Sequence, residues 1–384
     1  MINLSYVQEQ IDMSKRQETL EKHPYKIWEG VDGYYHTYLP DSVKGRKPVK
    51  RSTQKSVEDV VIEYWKEKEE NPTIKELYTE WIDGKVKREE ISKSTRDRYN
   101  RQYNESMEKF GETRIKDISE FDVETFVLDA IHECNLTSKG YSNLRTLLYG
   151  IFKMAKKKKY ISFSITEVIG DIEIPKKSLR KIVRTDEELV FMEDELPKVT
   201  DYLMEHKDII NLGILLIFKS GIRIGELSAI KKEDIEGNMI HINRTEISYK
   251  ADDGTMIYKV RDFPKTEAGI RDAIIPHRYM WIIEEILQKN PCGKYLFEAN
   301  GDRIRTYVFR NRLYTVCKKT NVVRKSPHKI RKTYGSILID SGAEDSLVIS
   351  QMGHTDIMTT RNHYYRNRKN QAQKIIAIDS VAGL

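Results

Sequence analysis

Hydrophobic and polar positions divide the chain into three regions of different periodicity. In the first region, 1–71, short aromatic runs at 26–29 and 34–39 flank an Asp-Gly pair, a pattern typical of a β-hairpin. A third strand is predicted over 48–54, and a helix follows with Ser56 as its N-cap. The first region is therefore predicted to be a small three-stranded sheet with one helix.

The second region, 72–174, has the apolar spacing of helices throughout. The clearest example is predicted over 137–154, where apolar residues recur every three to four positions and a run of lysines follows. Residues 175–184 then combine Pro175 with five basic residues. We predict an all-helical domain followed by a basic linker.

The third region, 185–384, mixes helices with a few short strands. Alternation predicts strands over 239–249, 258–263 and 270–275, with 264–269 as the turn between the last two. The predicted fold class is thus multidomain α+β. It comprises the N-terminal sheet and helix, the all-α domain, and a mainly α third domain with a small antiparallel sheet.

Composition excludes several classes of protein. No run approaches the ~20 apolar residues of a membrane span, and the N-terminus lacks the pattern of a secretory signal. The three cysteines are far apart, and neither a GxxxxGK[ST] nor a GxGxxG motif is present. A cytoplasmic protein without disulfides is expected. The net charge of +7 is weak evidence for nucleic acid by itself.

Three segments of the third region carry chemistry. Arg223 and Glu226, three residues apart, share a helix face, which alone is typical of a surface ion pair. His328 and Arg331 lie in the first turns of a helix, where free N–H groups and a guanidinium favour a phosphate. A capped helix with solvated basic residues is the alternative. His354 follows a glycine, and taken alone it is a packing residue.

These segments together resemble one known family. The residues GIRIGEL, HKIRKT and GHTDIMTTRNHYY form the order R…HxxR…GH…Y over about 140 residues. This order closely resembles that of the tyrosine recombinase (phage integrase) family. Region 72–174 is similar to the family's helical core-site-binding domain. Region 1–71 is similar to the small arm-site-binding domain of conjugative-transposon and phage integrases.

The resemblance implies a set of catalytic residues and no metal or other cofactor. Lys265 matches the lysine that protonates the leaving 5′-oxygen, and Glu226 matches the carboxylate that supports the first arginine. Tyr364 is the first choice for the nucleophile and Tyr365 the second, because the family's tyrosine follows the GH histidine by nine or ten residues. Four residues bind the phosphate: Arg223, His328, Arg331 and His354.

The resemblance also implies partners and an activity. The expected protein is a bacterial, cytoplasmic integrase that integrates and excises a mobile genetic element through a 3′-phosphotyrosyl intermediate. It would act as a homo-tetramer on double-stranded DNA with core and arm sites, and an accessory directionality factor is a further candidate partner. A type IB-like topoisomerase and a catalytically inactive DNA-binding regulator are the alternatives.

Clusters of basic residues supply the candidate DNA contacts, since polyanion binding requires concentrated positive charge. Solvated surface charge is the alternative for the first two clusters, and a flexible, soluble tether is the alternative for the linker. The C-terminal segment 366–384 starts basic and ends apolar, and it packs either on its own chain or on a neighbouring subunit. The candidate DNA-binding residues are Lys47, Lys50, Arg51, Lys156, Lys157, Lys158, Lys176, Lys177 and Arg180.

Overall fold

The computed structural model describes residues 4–41, 44–175, 177–251, 253–262 and 269–381. The chain divides into two compact units, Met1–Ile182 and Val183–Leu384. The mixed α+β class predicted from the sequence is confirmed. Within the described ranges, no helix is long and apolar enough to cross a membrane.

The N-terminal part of the first unit contains a three-stranded antiparallel sheet whose strands lie side by side in chain order. Its strands are β1 (Trp28–Glu29), β2 (Tyr35–Asp41) and β3 (Gly45–Arg51). The third strand therefore begins at Gly45 rather than at residue 48 as predicted. Pro48 lies within it opposite Tyr38. A proline is compatible with this position because β3 is an edge strand.

Two helices accompany this sheet, α1 (Leu4–Glu21) and α2 (Gln54–Glu70). The N-cap predicted at Ser56 is wrong. Thr53 caps α2, and its side chain accepts a hydrogen bond from the backbone N–H of Ser56 at 3.2 Å. The helix α1 was not predicted; Arg16 on α1 forms ion pairs with Glu58 and Asp59 on α2 at 3.0 and 2.6 Å.

The rest of the first unit is helical, as predicted. The amphipathic helix α7 (Ser138–Lys157) provides much of its core, including fully buried Leu144, Leu148 and Ile151. Leu179 packs against the same core, and the backbone N–H of Arg180 donates to Leu136. The helices are α3 (Ile74–Lys87), α4 (Lys93–Ser106), α5 (Glu108–Gly111), α6 (Glu120–Glu133), α7 (Ser138–Lys157) and α8 (Ile165–Asp171).

The second unit surrounds α11, a helix that is buried along almost its entire length. Asp208 caps its N-terminus through side-chain hydrogen bonds, and it ends at Gly221 in the left-handed conformation. The helices are α9 (Asp186–Leu189), α10 (Glu195–Glu205), α11 (Ile209–Ser220), α12 (Ile224–Leu227), α13 (Met280–Lys289), α14 (Thr306–Lys319), α15 (Pro327–Asp340), α16 (Asp345–Met352), α17 (Ile357–His363) and α18 (Gln371–Asp379).

The strands of the second unit depart from the prediction. The predicted strand 239–249 is two strands in different sheets, because the ladder breaks at Asn243. The strands are β4 (Ile235–Glu236), β5 (Met239–Ile242), β6 (Arg244–Lys250), β7 (Met256–Asp262), β8 (Arg271–Ile274), β9 (Glu298–Ala299) and β10 (Asp302–Arg303).

Pairing of these strands also corrects the predicted turn over 264–269. β7 pairs with β6, whereas β8 pairs with β5 in the sheet β4-β5-β8. The two strands that flank this segment therefore lie in different sheets and do not form a hairpin with each other. Most of the segment itself, 264–268, lies outside the described residues.

Candidate active site

The turn from α11 into α12 places Arg223 and Glu226. Gly221 has φ of 68°, and a Cβ there would lie 2.3 Å from Cδ1 of Tyr334, so the sharp turn requires glycine. The Glu226 carboxylate accepts from the backbone N–H of Arg223 at 2.8 Å and from its Nη1 at 2.7 Å. The pair is not an exposed surface pair, because the Glu226 side chain is 2% exposed.

A second arginine, Arg271 at the start of β8, shares this carboxylate. Its Nη1 and Nη2 donate to the two oxygens of Glu226 at 3.1 and 2.8 Å. Burial alone would raise the pKa of Glu226, but the hydrogen bonds and charge of Arg271, together with the charges of Arg223 and Arg331, lower it to about 2. Glu226 is therefore ionised at neutral pH.

Arg331 on α15 is fully buried and joins three segments of the site. Its Nη1 donates to the carbonyl of Gly221 at 2.6 Å, and its Nη2 donates to the carbonyl of Met352. Burial, with repulsion from Arg223, lowers the pKa of Arg331 to about 10. Its Nε has no hydrogen-bond partner within the described residues, which leaves one buried donor for a ligand.

Two histidines lie beside this arginine. His354 follows Gly353 at the end of α16, and Nη2 of Arg331 donates to its Nε2 at 3.1 Å. Burial, followed by the charge of Arg331, lowers the pKa of His354 to about 3. Burial and the charges of Lys332 and Arg331 likewise lower the pKa of His328 to about 4. Both imidazoles are therefore neutral at pH 7 without DNA.

Of the two candidate tyrosines, Tyr364 lies against these histidines. Its ring centroid is 5.2 Å from that of His328 and 4.5 Å from that of His354. The Arg331 Cζ lies 5.7 Å from the same ring. Tyr365, the next residue, lies beside Asp340 instead. Burial and the charge of Asp340 raise the pKa of Tyr365.

A hydroxyl on α15 fixes the backbone on both sides of this position. The Ser336 Oγ donates to the carbonyl of Tyr364 at 3.3 Å and accepts from the backbone N–H of Arg366 at 3.0 Å. Ser336 is buried. The helix that carries His328 and Arg331 therefore also holds the tyrosine segment.

The structure thus brings most of the predicted catalytic residues together. Lys265 lies outside the described residues. Sequence reasoning missed Arg271 and Ser336, because their partners lie far away along the chain or in its backbone. The predicted residues that meet in one site are Arg223, Glu226, His328, Arg331, His354 and Tyr364.

The predicted basic residues of β3 lie on two faces of its sheet. Lys47 and Arg51 share the face of buried Val49, whereas Lys50 points to the opposite face. Lys50 there forms an ion pair with Asp32 at 2.7 Å. These side chains surround the exposed edge of the sheet rather than forming one flat patch.

The other predicted basic residues are exposed where the structure describes them. Lys156 and Lys157 end α7, and Lys158 follows them with its Nζ 2.6 Å from the Glu80 carboxylate. Lys177 and Arg180 are exposed, and Lys176 lies outside the described residues.

One basic cluster was missed. Arg145 and Lys153 lie over the ring of Tyr149 on α7, with Cζ and Nζ at 5.8 and 5.3 Å from its centroid. Arg145, Tyr149 and Lys153 are spaced four residues apart, so the sequence alone could have indicated that they share one face of the helix.

Comparisons with known proteins agree with this site. Residues 189–371 match the profile of the Phage integrase family. The chain is 26% identical over 196 residues to a XerC-like tyrosine recombinase of Caldanaerobacter subterraneus subsp. tengcongensis, a match that covers 45% of this chain. It spans about half of that relative's length, 49%.

Solved structures of two integrases are similar in fold. One is the Tn1549 transposon integrase in complex with transposon right end DNA, with 17% identity and a TM-score of 0.59 over 81% of this chain and 100% of that chain. The other is a lambda integrase tetramer bound to a Holliday junction, with 14% identity and a TM-score of 0.53 over 87% and 97%. At such identities, the likeness is one of fold.

Proposed function

We propose that the chain is a tyrosine recombinase of the phage integrase family, whose profile matches residues 189–371, and that it is a site-specific DNA recombinase that integrates and excises a mobile genetic element. The observation that carries this proposal is the position of Tyr364. Its ring packs against two neutral histidines and lies near a buried arginine that has one unpartnered donor. A phosphodiester bound there would meet a nucleophile, a base and cationic donors together.

The arginines are suited to the charge that develops during attack on phosphorus. Arg223 and Arg331 offer guanidinium donors to the non-bridging oxygens, and His354 offers its Nδ1–H. The site holds three arginines around the single carboxylate of Glu226 and is therefore positive before DNA binds. A phosphodiester anion compensates part of this charge.

The two chemical steps balance without a cofactor. The Tyr364 oxygen bonds to phosphorus as the bond from phosphorus to the 5′-oxygen breaks, and His328 accepts the phenolic proton. Lys265 is the proposed donor of a proton to the leaving 5′-oxygen. The resulting 3′-phosphotyrosyl bond conserves the energy of the phosphodiester, so that attack by a 5′-hydroxyl of another strand rejoins the DNA.

DNA recognition is assigned by region. Residues 72–174 and 185–384 bind the core site, the linker 175–184 lies along the backbone, and 1–71 binds arm sites. The tetramer on a Holliday junction is a property of the lambda integrase structure, and we propose the same assembly for this chain. An accessory directionality factor belongs to the same proposal.

Covalent trapping tests the proposal. The protein is incubated in EDTA with a nicked duplex that carries the element's end, and the products are separated on a denaturing gel. Wild type is expected to give a protein–DNA band that Tyr364→Phe abolishes and that Tyr365→Phe, the matched control, retains. Loss with Tyr365→Phe alone would move the nucleophile to that residue. DNA binding by wild type without any band would contradict the recombinase assignment.

A further inference from the structure

Arg271 is a buried cation that was not among the catalytic residues predicted from the sequence or from the family resemblance. Its side chain is 4% exposed. All three guanidinium nitrogens donate hydrogen bonds, to four acceptors in total. A buried guanidinium is costly unless its donors are satisfied, so this degree of pairing indicates a defined arrangement.

The acceptors belong to three separate segments of the site. Two are the carboxylate oxygens of Glu226, at 3.1 and 2.8 Å. Another is the carbonyl of Gln351, 3.1 Å from Nε, near the end of the helix that leads to His354. The last is the carbonyl of Gly269, 3.2 Å from Nη1, the first described residue after 263–268.

The side chain of Gln351 strengthens the second of these links. Its Oε1 accepts from the backbone N–H of Ile274 at 3.0 Å, and its Nε2 donates to the carbonyls of Ile274 and Ser220 at 3.0 and 3.1 Å. The end of α16 is thereby fixed to β8 and to the end of α11. Arg271 begins β8, so its guanidinium and the Gln351 amide act on the same junction.

The Glu226 carboxylate is also the main partner of Arg223, so the two arginines share its oxygens. Arg271 donates to both oxygens. The Arg223 guanidinium therefore makes one hydrogen bond to the carboxylate, from Nη1 to Oε1 at 2.7 Å. The Nη2 of Arg223 instead donates to the carbonyl of Gly353 at 3.2 Å. Without Arg271, the carboxylate is free to accept both ends of the Arg223 guanidinium, which would withdraw Arg223 from a phosphate.

We propose that Arg271 is a positioning residue for DNA cleavage: it holds the Glu226 carboxylate so that Arg223 stays directed at the scissile phosphate, and it fixes the turn that carries His354. This role rests on the proposed recombinase function. In this role Arg271 acts through Arg223 and His354, the residues proposed to bind the phosphate.

The chain offers a matched control in Arg303. This residue is equally buried and forms an ion pair with the buried carboxylate of Glu246, with side chains 5% and 1% exposed. Its hydrogen bonds go to Ser228, the residue that follows α12, and to Glu246, and neither of these is a predicted catalytic residue. Arg303→Met and Arg271→Met therefore remove comparable buried cations from the same unit, and only the second should alter cleavage specifically.

The experiment measures the rate of covalent complex formation at saturating nicked duplex, together with DNA affinity and thermal midpoint. Arg271→Met is expected to lower the rate at least 30-fold with affinity within about threefold of wild type. Arg303→Met should lower the midpoint comparably and leave the rate of the folded fraction within about threefold. If the two variants lowered the rate equally, Arg271 would contribute only to the stability of the fold, and the proposal would be wrong.

Two further variants keep the proposal testable if Arg271→Met folds poorly. Arg271→Lys retains the positive charge but loses the guanidinium that donates to both oxygens of Glu226. Its cleavage rate should therefore fall between those of wild type and Arg271→Met. A wild-type rate would overturn the proposal. Because Arg271 acts partly through Glu226, combining Glu226→Gln with Arg271→Lys should slow cleavage less than the product of the single effects. Independent effects would count against it. Absence of any complex with wild type would instead contradict the proposed function.

Discussion

Nη2 of Arg331 donates a hydrogen bond to Nε2 of His354 at 3.1 Å, and this contact determines where the imidazole carries its proton. An arginine has no lone pair to accept with, so Nε2 must be the acceptor and the proton resides on Nδ1. A second proton on the ring would place two cations in contact. The structure thus keeps His354 neutral, with its proton on Nδ1.

The first prediction concerns pH and stability. The pKa of His354 is about 3 in the folded chain, below its ordinary value of 6.5, so the unfolded state takes up a proton first as pH falls. Stability from this group is complete above pH 6.5 and is lost progressively toward pH 3. Between pH 7 and pH 5, wild type should lose about 2 kcal/mol more unfolding free energy than His354→Asn. Urea denaturation at both pH values measures the difference; parallel losses would contradict it.

The second prediction concerns Arg331. Arg331→Ala should lower the rate of covalent complex formation by about 10²–10³, as loss of a donor to a developing oxyanion does. It also leaves the buried carbonyls of Gly221 and Met352 without their donor, so a lower thermal midpoint is expected. Rates are therefore compared at a temperature where both proteins are folded. Unchanged cleavage with lost DNA affinity would show that Arg331 only binds DNA.

The third prediction concerns the arm-binding edge. Replacing Lys47, Lys50 and Arg51 with alanine should weaken arm-site binding and reduce the slope of log affinity against log salt by up to about 3, near 0.9 per lost phosphate contact. Lys66→Ala on α2, an exposed lysine outside this edge, is the control. Titrations at several salt concentrations give the slopes. An unchanged slope would show that these residues are solvated surface charges that do not contact phosphates.

The fourth prediction separates neighbouring lysines at the end of α7. Lys158 is neutralised by Glu80, whereas Lys157 is exposed at the last turn. Lys157→Ala should therefore reduce core-site affinity more than Lys158→Ala. Glu80→Gln should increase affinity, because it releases Lys158 to the phosphates. Equal effects of the two lysine variants in a binding titration would indicate that the Glu80 ion pair yields readily to DNA.

Local signals in the sequence predicted much of the fold. The amphipathic pattern identified α7, and the helix predicted to carry His328 and Arg331 in its first turns is α15. The local pattern did not predict the strand boundaries that depend on pairing with strands distant in the sequence. Residues 239–249 alternate continuously, yet Asn243 divides them because β5 and β6 pair in different sheets. The helix α1 was missed because its sequence shows little apolar periodicity.

The candidate site divides in the same way. Motif residues such as Arg223 and His354 were accessible from spacing and family resemblance. Arg271 was not, since its carboxylate partner lies 45 residues earlier in the chain and no local pattern marks a distant buried ion pair. Ser336 was inaccessible for a related reason, because a serine that binds backbone groups needs no particular partner residue.

The bonds from Ser336 to the backbone around Tyr364 have a consequence for assemblies of several chains. They join the tyrosine to the same helix that carries Arg331, so the proposed cleavage groups within the described residues belong to one polypeptide. A mixture of one chain lacking Tyr364 and another lacking Arg331 should then show no complementation in cleavage. In the proposed tetramer, neighbouring subunits would then control when a subunit cleaves DNA rather than contribute its nucleophile or its Arg331.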